Sequence, residues 1–349
     1  MNFRNLTAFG TFCALVACSG GGSDPTAASS SQDPITRSGV SVTGPSPSPS
    51  PSAKPSTSPS AVPSPANPAI VAPPRFTVSV VANVGSAREL AFVPNGDLIV
   101  GTGGGTVAIV PSADAAGVAG AAGTFANVGD DPAAGVAYGN GYVYVSTQHA
   151  LWRTPYHNGD RAASALAKVA SYRQGPIAPN SDGDVHTSAS VTLTSSNAYI
   201  GIGSSCNACT EVDPTRASVQ RAALDGSGMS TYATRFRNAI ALATNPATGA
   251  VWAGGAGQDA LPAGHPYEFI DALTTHPAVA DYGWPACEEN QHAYTAGVNC
   301  SNTVIPRVEF PAYSTLIGAA FYPARRADLT LFRVHIAADF SLPHTAVGT

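Results

Sequence analysis

LAFVPNGDLIVGTGGGTVAIV, at residues 90–110, contains three short β-rich runs separated by Pro-Asn-Gly-Asp and by a glycine cluster at 101–105. Turn residues between apolar runs are typical of hairpins, so we predict antiparallel strands here. The glycine cluster resembles a dinucleotide-binding loop, but another strand follows it. No helix N-terminus is then available to bind a phosphate, which favours a hairpin turn.

Phrases of the same kind return along the chain, and the first four recur at roughly fifty-residue intervals, the spacing of propeller blades. The later ones are AAGVAYGNGYVYVSTQHALWRTPY at 133–156, SASVTLTSSNAYIGIGSS at 188–205, AIALATNPATGAVWAGGAG at 239–257 and a fainter IGAAFYPARR at 317–326. No segment carries an amphipathic helical pattern of useful length. We therefore predict an all-β protein with the architecture of a β-propeller.

Residues 1–18 have the layout of a secretory signal. Arg4 precedes an apolar run from Leu6 to Ala17, which is too short to cross a membrane as a helix, and Cys18 follows. The end of the run, Leu-Val-Ala-Cys, resembles a bacterial lipobox, in which Cys18 is lipidated and becomes the new N-terminus. We expect a lipid-anchored protein of the bacterial cell envelope or periplasm. An ordinary signal peptide that contains Cys18 is the alternative.

Residues 19–73 are predicted to be a tether. Proline alternates there with small polar residues, as in GPSPSPSPSAKPSTSPSAVPSPANP, and almost no apolar side chain is available for burial. Such sequences form extended, partly polyproline II spacers without a packed core. The globular domain is therefore predicted over residues 74–349.

The charge balance argues against one class of partner. Charged residues make up 11% of the 349-residue chain, which has a formal net charge of −5 and no basic run. A nucleic-acid-binding protein would show a basic patch or stripe, so we expect no nucleic-acid partner.

Four of the six cysteines lie in the predicted domain, as the pairs Cys206/Cys209 and Cys287/Cys300. An even number in an oxidising compartment indicates two disulfides, and four cysteines permit three connectivities. We favour local pairing within each set. Zinc binding or redox chemistry at Cys206-x-x-Cys209 is the alternative, although a zinc site would lack a second close pair.

Four stretches, in this order, resemble the soluble quinoprotein glucose/sorbosone dehydrogenase family. They are ARELAFVPNGDLIV at 87–100, HTSASVTLTSSNAYIGIGSSCNAC at 186–209, DPTRASVQRAALDGSGMSTYATRFRNAIALATNPATGAVWAGGAGQD at 213–259, and DYGWPACEE at 281–289. The likeness covers about residues 75–322. It implies a six-bladed β-propeller that uses pyrroloquinoline quinone (PQQ) and calcium to oxidise a sugar or a related alcohol or aldehyde.

The resemblance implies a role for each of five residues. His186 falls on the general base, which takes the proton from a sugar hydroxyl as hydride passes to the quinone; an unperturbed histidine pKa of about 6.5 suits this exchange. Arg237 and Asn238 fall on cofactor-binding positions, and arginine offers carboxylate or quinone oxygens a planar, charged fork. Asp259 falls near the calcium site, and calcium takes oxygen ligands. Arg88, in the first blade, is a further cofactor-binding candidate.

The chain departs from the family pattern at several positions. Many relatives have an arginine three residues after the histidine, where this chain has Ala189, and an acidic-basic pair where it has Gly257-Gln258. After Pro323 the family's late cofactor-binding motifs are not matched, and no lysine follows Lys168. The last blade is therefore predicted to be either truncated, as after a frameshift, or divergent.

Three functions are compatible with these observations. The first is an exported, PQQ-dependent oxidation of a sugar or related alcohol or aldehyde, with an electron acceptor that the sequence does not specify. The second is a non-catalytic propeller that binds carbohydrate or another partner after losing its cofactor site. The third is a lactonase-type hydrolase that holds a metal through several carboxylates, and the scarcity of acidic residues at strand ends argues against it.

Overall fold

The computed structural model of the chain describes residues 80–115, 119–179, 183–262, 264–287 and 290–321. It also gives the backbone of three strands, Gly10–Cys13, Phe76–Ser79 and Val334–Ile336. Cys18 and the tether at 19–73 lie outside the described residues, as does most of the sequence after Pro323. The signal, the lipid anchor, the tether and the fate of the last blade therefore stay predictions.

Four sheets of four or five strands follow one another along the chain, flanked by two strand pairs. A parallel pair comes first, β1 (Gly10–Cys13) with β2 (Phe76–Ser79). The first sheet contains β3 (Ala87–Phe92), β4 (Leu98–Thr102), β5 (Thr106–Val110) and β6 (Gly123–Asn127). The second contains β7 (Gly135–Gly139), β8 (Tyr142–Ser146), β9 (Ala150–Pro155) and β10 (Ala167–Ser171).

The remaining strands complete two larger sheets and a final pair. The third sheet contains β11 (Ala189–Leu193), β12 (Asn197–Ile202), β13 (Ser218–Ala223), β14 (Ser230–Thr234) and, parallel to β14, β18 (Ala280–Asp281). The fourth contains β15 (Ala239–Thr244), β16 (Val251–Gly255), β17 (Glu268–Ala272) and β19 (Val308–Phe310). The final pair is β20 (Ala319–Phe321) with β21 (Val334–Ile336).

The sheets are arranged as the blades of a propeller. The first strand of each sheet lies beside the first strand of the next one: β3 contacts β7, β7 contacts β11, β11 contacts β15, and β15 contacts β20. These first strands are therefore the inner strands of the blades, and the later strands of each sheet lie farther out. The predicted propeller is confirmed, with four blades and the start of a fifth sheet. The family's count of six blades stays a prediction.

The hydrophobic core lies in layers between neighbouring blades. Successive layers contain Ile99, Phe125 and Val143 (blades 1 and 2), Tyr144, Val191 and Ile200 (blades 2 and 3), and Tyr199, Leu242 and Phe269 (blades 3 and 4). Each sheet is therefore covered on both faces, and such strands read as continuous apolar runs. The strand β4 is buried at every position for this reason.

Two smaller sequence predictions also match the structure. The hairpin predicted at the glycine cluster joins β4 to β5. The disulfides join Cys206 to Cys209 and Cys287 to Cys300, as local pairing predicted. Within the described part of the chain, one turn of 3-10 helix at Leu273–Thr275 is the only helical element, and no helix there has the length and hydropathy needed to cross a membrane.

One side chain of blade 1 reaches across the centre of the ring. Glu89 of β3 accepts a hydrogen bond from the backbone N–H of Val191 in β11 at 3.4 Å, and it interacts with that of Val136 in β7. Burial raises the pKa of the Glu89 carboxyl well above its usual range, despite both bonds. Glu89 thus links the inner strands of three successive blades.

Candidate functional site

All five predicted site residues lie toward one end of the propeller. His186 comes shortly before β11, while Arg237 and Asn238 come directly before β15. Neighbouring strands of a blade are antiparallel, so the end of a second strand lies level with the start of the first. The loop between β16 and β17, which carries Asp259, therefore lies at this end too.

His186 and Asn238 approach each other across a glycine. A Cβ atom placed on Gly203, the residue after β12, would lie 2.5 Å from Cβ of His186 and 2.6 Å from Oδ1 of Asn238. Real Cβ atoms do not make contacts this short, so only glycine leaves room for both side chains. A residue from blade 4 thus stands beside the histidine of blade 3.

The hydrogen bonds of His186 assign its tautomer. Nδ1 lies 3.1 Å from the carbonyl oxygen of Ser204 and 2.9 Å from its Oγ. The Ser204 hydroxyl donates its own proton to the carbonyl oxygen of Cys206 at 2.6 Å, so both Ser204 atoms act as acceptors toward the imidazole. Nδ1 therefore carries the proton. None of the described residues offers Nε2 a partner, so its lone pair is available to a ligand.

The surroundings of His186 favour the neutral imidazole. Burial, together with the positive charges of Arg237 and Arg173, lowers the pKa of His186 to about 4. The bond to Ser204 and the charge of Asp259 act in the opposite direction and are outweighed. At neutral pH the side chain is therefore an uncharged proton acceptor.

Arg237 is buried, and most of its donors are already paired. Nε donates to the carbonyl oxygen of Asn207 at 3.0 Å, Nη1 to that of Gly257, and Nη2 to Oδ1 of Asn207 at 2.8 Å and Oδ2 of Asp259 at 2.9 Å. A guanidinium has five N–H groups, so one hydrogen on Nη1 remains. Asn238 is likewise a buried residue, and no described hydrogen bond pairs its side-chain amide.

Two quoted motifs support the Arg237 group. In DYGWPACEE, Trp284 donates its indole N–H to the carbonyl oxygen of Asn207 at 3.1 Å. At the position where relatives have an acidic-basic pair, Gly257 accepts from Arg237, and Gln258 donates to the carbonyl oxygen of Pro285 at 3.1 Å. At Gly257-Gln258 a backbone carbonyl and a side-chain amide thus make the contacts, in place of an acidic-basic pair.

An aromatic cluster lies next to the polar residues. The rings of Phe236, Phe269 and Tyr282 contact one another with centroid distances of 4.6 to 4.9 Å. Phe236 precedes Arg237, and Phe269 follows Glu268, whose side chain is almost fully buried. Glu268 accepts the backbone N–H of Gly257 at 2.8 Å, and burial raises its pKa to about 7.

Replacing Glu268 with glutamine is expected to make stability less sensitive to pH. A carboxyl whose pKa rises from 4.5 unfolded to about 7 folded contributes stability below pH 4.5 that is lost as the pH rises to 7. Glu268→Gln keeps an acceptor for Gly257 and cannot ionise. The melting temperatures of the two proteins should therefore agree near pH 4.5. Near pH 7.5 the variant should melt roughly 4–8 °C higher than the wild type, which corresponds to a difference of about 2 kcal/mol in the free energy of unfolding.

The control for this comparison is Asp225→Asn, which alters an exposed carboxyl whose pKa is lowered by its hydrogen bonds with Ser227. A lowered pKa means that this carboxyl is ionised in the folded protein throughout the range from pH 4.5 to 7.5, so the difference between Asp225→Asn and wild type should not grow across that range. Parallel pH profiles for Glu268→Gln and wild type would contradict the shifted pKa of Glu268.

Arg88 and Asp259, the other two predicted site residues, are exposed rather than buried. Arg88 is exposed at the start of β3, with Gly103 beside its guanidinium, and no described hydrogen bond joins it to the His186 or Arg237 groups. Asp259 has a side chain that is 70% exposed and pairs with Arg237. Within the described ranges, Cys206, Cys209 and Glu211 form the one cluster with metal-ligand geometry, and the disulfide removes both thiols from it. The calcium role of Asp259 stays a prediction.

Comparison with known proteins locates the fold. No family model and no curated sequence matches the chain. Among solved structures, the holo PQQ domain of pyranose dehydrogenase from Coprinopsis cinerea is similar over 72% of this chain and 71% of its own, with a TM-score of 0.59 and 14% identity. The calcium structure of a family AA12 carbohydrate-active enzyme from Trichoderma reesei is similar over 68% and 70%, with a TM-score of 0.54 and 19% identity. The chain has the fold of the quinoprotein sugar dehydrogenases.

In this quinoprotein dehydrogenase fold, several residues of the site were not predicted from the sequence. Ser204 fixes the tautomer of His186, Asn207 pairs with Arg237, and Glu268 lies buried behind Gly257. The one available signal was for Asn207, which stands inside Cys206-x-x-Cys209 and is held by that disulfide. Ser204 and Glu268 sit in ordinary strand-end sequence, which carries no such signal.

The donor set fits one edge of an oxygen-rich cofactor such as PQQ. The amide of Asn238 and the remaining Nη1 hydrogen of Arg237 suit a quinone or carboxylate oxygen. Arg88 is a further cation at the same end of the propeller, two blades from His186. His186, Asn238 and Arg237 are thus the residues that would contact such a cofactor.

Proposed function

We propose that the protein is an exported quinoprotein dehydrogenase that oxidises a CH–OH group of a sugar, or of a related alcohol or aldehyde, with PQQ and calcium as cofactors. The observation that carries the proposal is the position of His186, a neutral base whose Nε2 has no described partner, beside the side-chain amide of Asn238 across Gly203. A proton acceptor next to an amide that can hydrogen-bond a substrate hydroxyl is what oxidation of an alcohol requires. Similarity to the holo form of the PQQ domain of a pyranose dehydrogenase supports the choice of cofactor.

In this proposal His186 removes the hydroxyl proton of the substrate. Oxidation of the carbon takes away a proton from oxygen and a hydride from carbon, and the proton passes to Nε2. When bound, PQQ supplies the acceptor for the hydride. The charges of Arg237 and Arg173 disfavour the imidazolium, and this favours release of the proton from His186 after the reaction. Asn238 and Arg237 orient an oxygen atom beside it.

Three further parts of the proposal rest on the sequence. Asp259 would contribute an oxygen ligand to calcium through the carboxylate oxygen that does not face Arg237. The ring would close with six blades, as in the resembling family. Export and lipid anchoring at Cys18 would place the reaction in the cell envelope, where an electron acceptor, as yet unspecified, takes the electrons from the reduced cofactor.

The proposal is tested by reconstituting the purified full chain with PQQ and calcium. We expect reduction of an artificial dye acceptor when aldoses are added, and no reduction when PQQ or calcium is left out. PQQ at about one hundred times its Kd should also raise the melting temperature by roughly 5–10 °C, since such binding contributes about 2.7 kcal/mol.

Other outcomes would overturn the proposal and identify its alternatives. No turnover over a broad panel of aldoses, together with no PQQ-dependent change in melting temperature, would exclude a quinoprotein. A saccharide-dependent rise in melting temperature without PQQ would indicate a non-catalytic carbohydrate-binding propeller. Metal-dependent lactone hydrolysis without PQQ would indicate a hydrolase.

A further inference from the structure

A buried arginine from blade 2 holds the segment that carries His186. Arg173 follows β10, is 4% exposed, and has a left-handed backbone with φ of 53°. Its Nη2 donates to the carbonyl oxygens of His186 at 2.6 Å and Ser188 at 2.9 Å, and its Nη1 to those of Thr187 and, at 3.0 Å, Gln148. Three consecutive carbonyl groups before β11 thus converge on one guanidinium.

This arrangement is costly unless the guanidinium has a specific task. No carboxylate contacts Arg173 among the described residues, and its Nε is buried without a hydrogen-bond partner. Burial lowers the pKa of Arg173 to about 10, which reflects the penalty for a charge placed away from water. An apolar side chain would fill such a position without that penalty. What the apolar side chain cannot supply is a planar set of donors that reaches three carbonyls.

The other end of the same segment is held by a second buried arginine. Arg216 forms a two-pronged ion pair with Asp184, with N–O distances of 2.6 and 2.9 Å. Asp184 has φ of 63°, so the chain bends sharply two residues before His186. With residue 184 and residues 186–188 both fixed, the backbone leaves His186 little freedom to turn.

We propose that Arg173 is a positioning residue for His186: by holding the carbonyl groups of residues 186–188, its guanidinium fixes the imidazole in its place beside Gly203 and Asn238. The importance of this for catalysis rests on the proposed function, but the effect on the imidazole is a property of the chain alone. The charged groups around His186 are Arg173 itself, Arg237 and Asp259, and only the first contacts its backbone.

The test compares Arg173→Lys and Arg173→Met with wild type in the full chain without PQQ. One readout is the NMR titration of His186, identified as the resonance missing from His186→Asn; the other is amide hydrogen exchange over residues 183–188. We expect Arg173→Met to raise the pKa of His186 above its value of about 4 and to speed exchange at least about tenfold. Arg173→Lys keeps the charge but not the fork, so exchange should accelerate there as well.

The matched control is Arg153→Met. Arg153, in the same blade, donates Nη1 to the carbonyl oxygen of Leu224 at 2.8 Å, far from His186 in sequence and fold. It should lower the melting temperature and leave both readouts unchanged. If both Arg173 variants behave like this control, the residue is merely structural and the proposal is wrong; should Arg173→Met fail to fold, Arg173→Lys decides by its exchange rate.

The readouts also separate this inference from the proposed function. A shifted His186 pKa and faster exchange in a protein that never oxidises sugars would support the positioning role and reject the dehydrogenase. In an active enzyme, Arg173→Lys should lower kcat more than about tenfold with KM nearly unchanged, because a misdirected base affects the transition state more than binding.

Discussion

Replacing His186 with asparagine is expected to lower kcat for sugar oxidation by about 10³, because a positioned general base contributes about 10²–10⁴ to such rates. Asparagine offers an N–H near the place of Nδ1, so the contact with Ser204 can persist. It has no basic nitrogen to replace Nε2. Steady-state kinetics of the reconstituted enzyme measure the loss, and the PQQ-dependent rise in melting temperature should remain.

The control is His157→Asn. His157 has a side chain that is 83% exposed and pairs with Asp160, so its removal should leave kcat unchanged. If His186→Asn keeps more than about a tenth of the wild-type rate, proton removal does not depend on this histidine.

Gly203→Ala is expected to give the second-largest loss, at least about 10² in kcat, although the new methyl group carries no charge. The methyl would overlap Cβ of His186 and Oδ1 of Asn238, so one or both must move. A displacement of about 1 Å at reacting groups is enough to cost roughly a hundredfold. The same kinetic assay, with circular dichroism to verify the fold, measures the effect.

Gly123→Ala serves as the matched control for this substitution. Gly123 also lies in a blade, at the start of β6, but an added Cβ there meets no atom within 4 Å. Its kcat should equal that of the wild type. Full activity in Gly203→Ala would mean that His186 and Asn238 do not act together across this glycine.

The fold was predictable because its determinants are local. Hairpin turns such as Pro-Asn-Gly-Asp at 94–97 fix the pairing of adjacent strands, and a blade consists mainly of such pairs. The disulfides were predictable for the same reason, since each closes a short loop. The number of blades was not, because ring closure depends on contacts between distant segments.

The site was predictable only as a set of positions. The family resemblance assigned His186 and Asn238 to one site, and the structure brings them together. It did not indicate that Arg237 and Asp259, expected to bind cofactor and calcium respectively, pair with each other at 2.9 Å. The acceptors that pair with the buried guanidinium of Arg237 lie in loops 20 to 30 residues away in sequence, so their identity depends on the folded arrangement of those loops.

Glu89 has a consequence for how the ring is made. Its carboxyl bridges blades 1, 2 and 3, and every atom of that bridge belongs to residues 89–191. A chain that folds from its N-terminus can therefore align the inner strands of blades 1, 2 and 3 before the inner strand of blade 4 joins them. Later blades would then pack onto three inner strands whose curvature is already set by the Glu89 carboxyl.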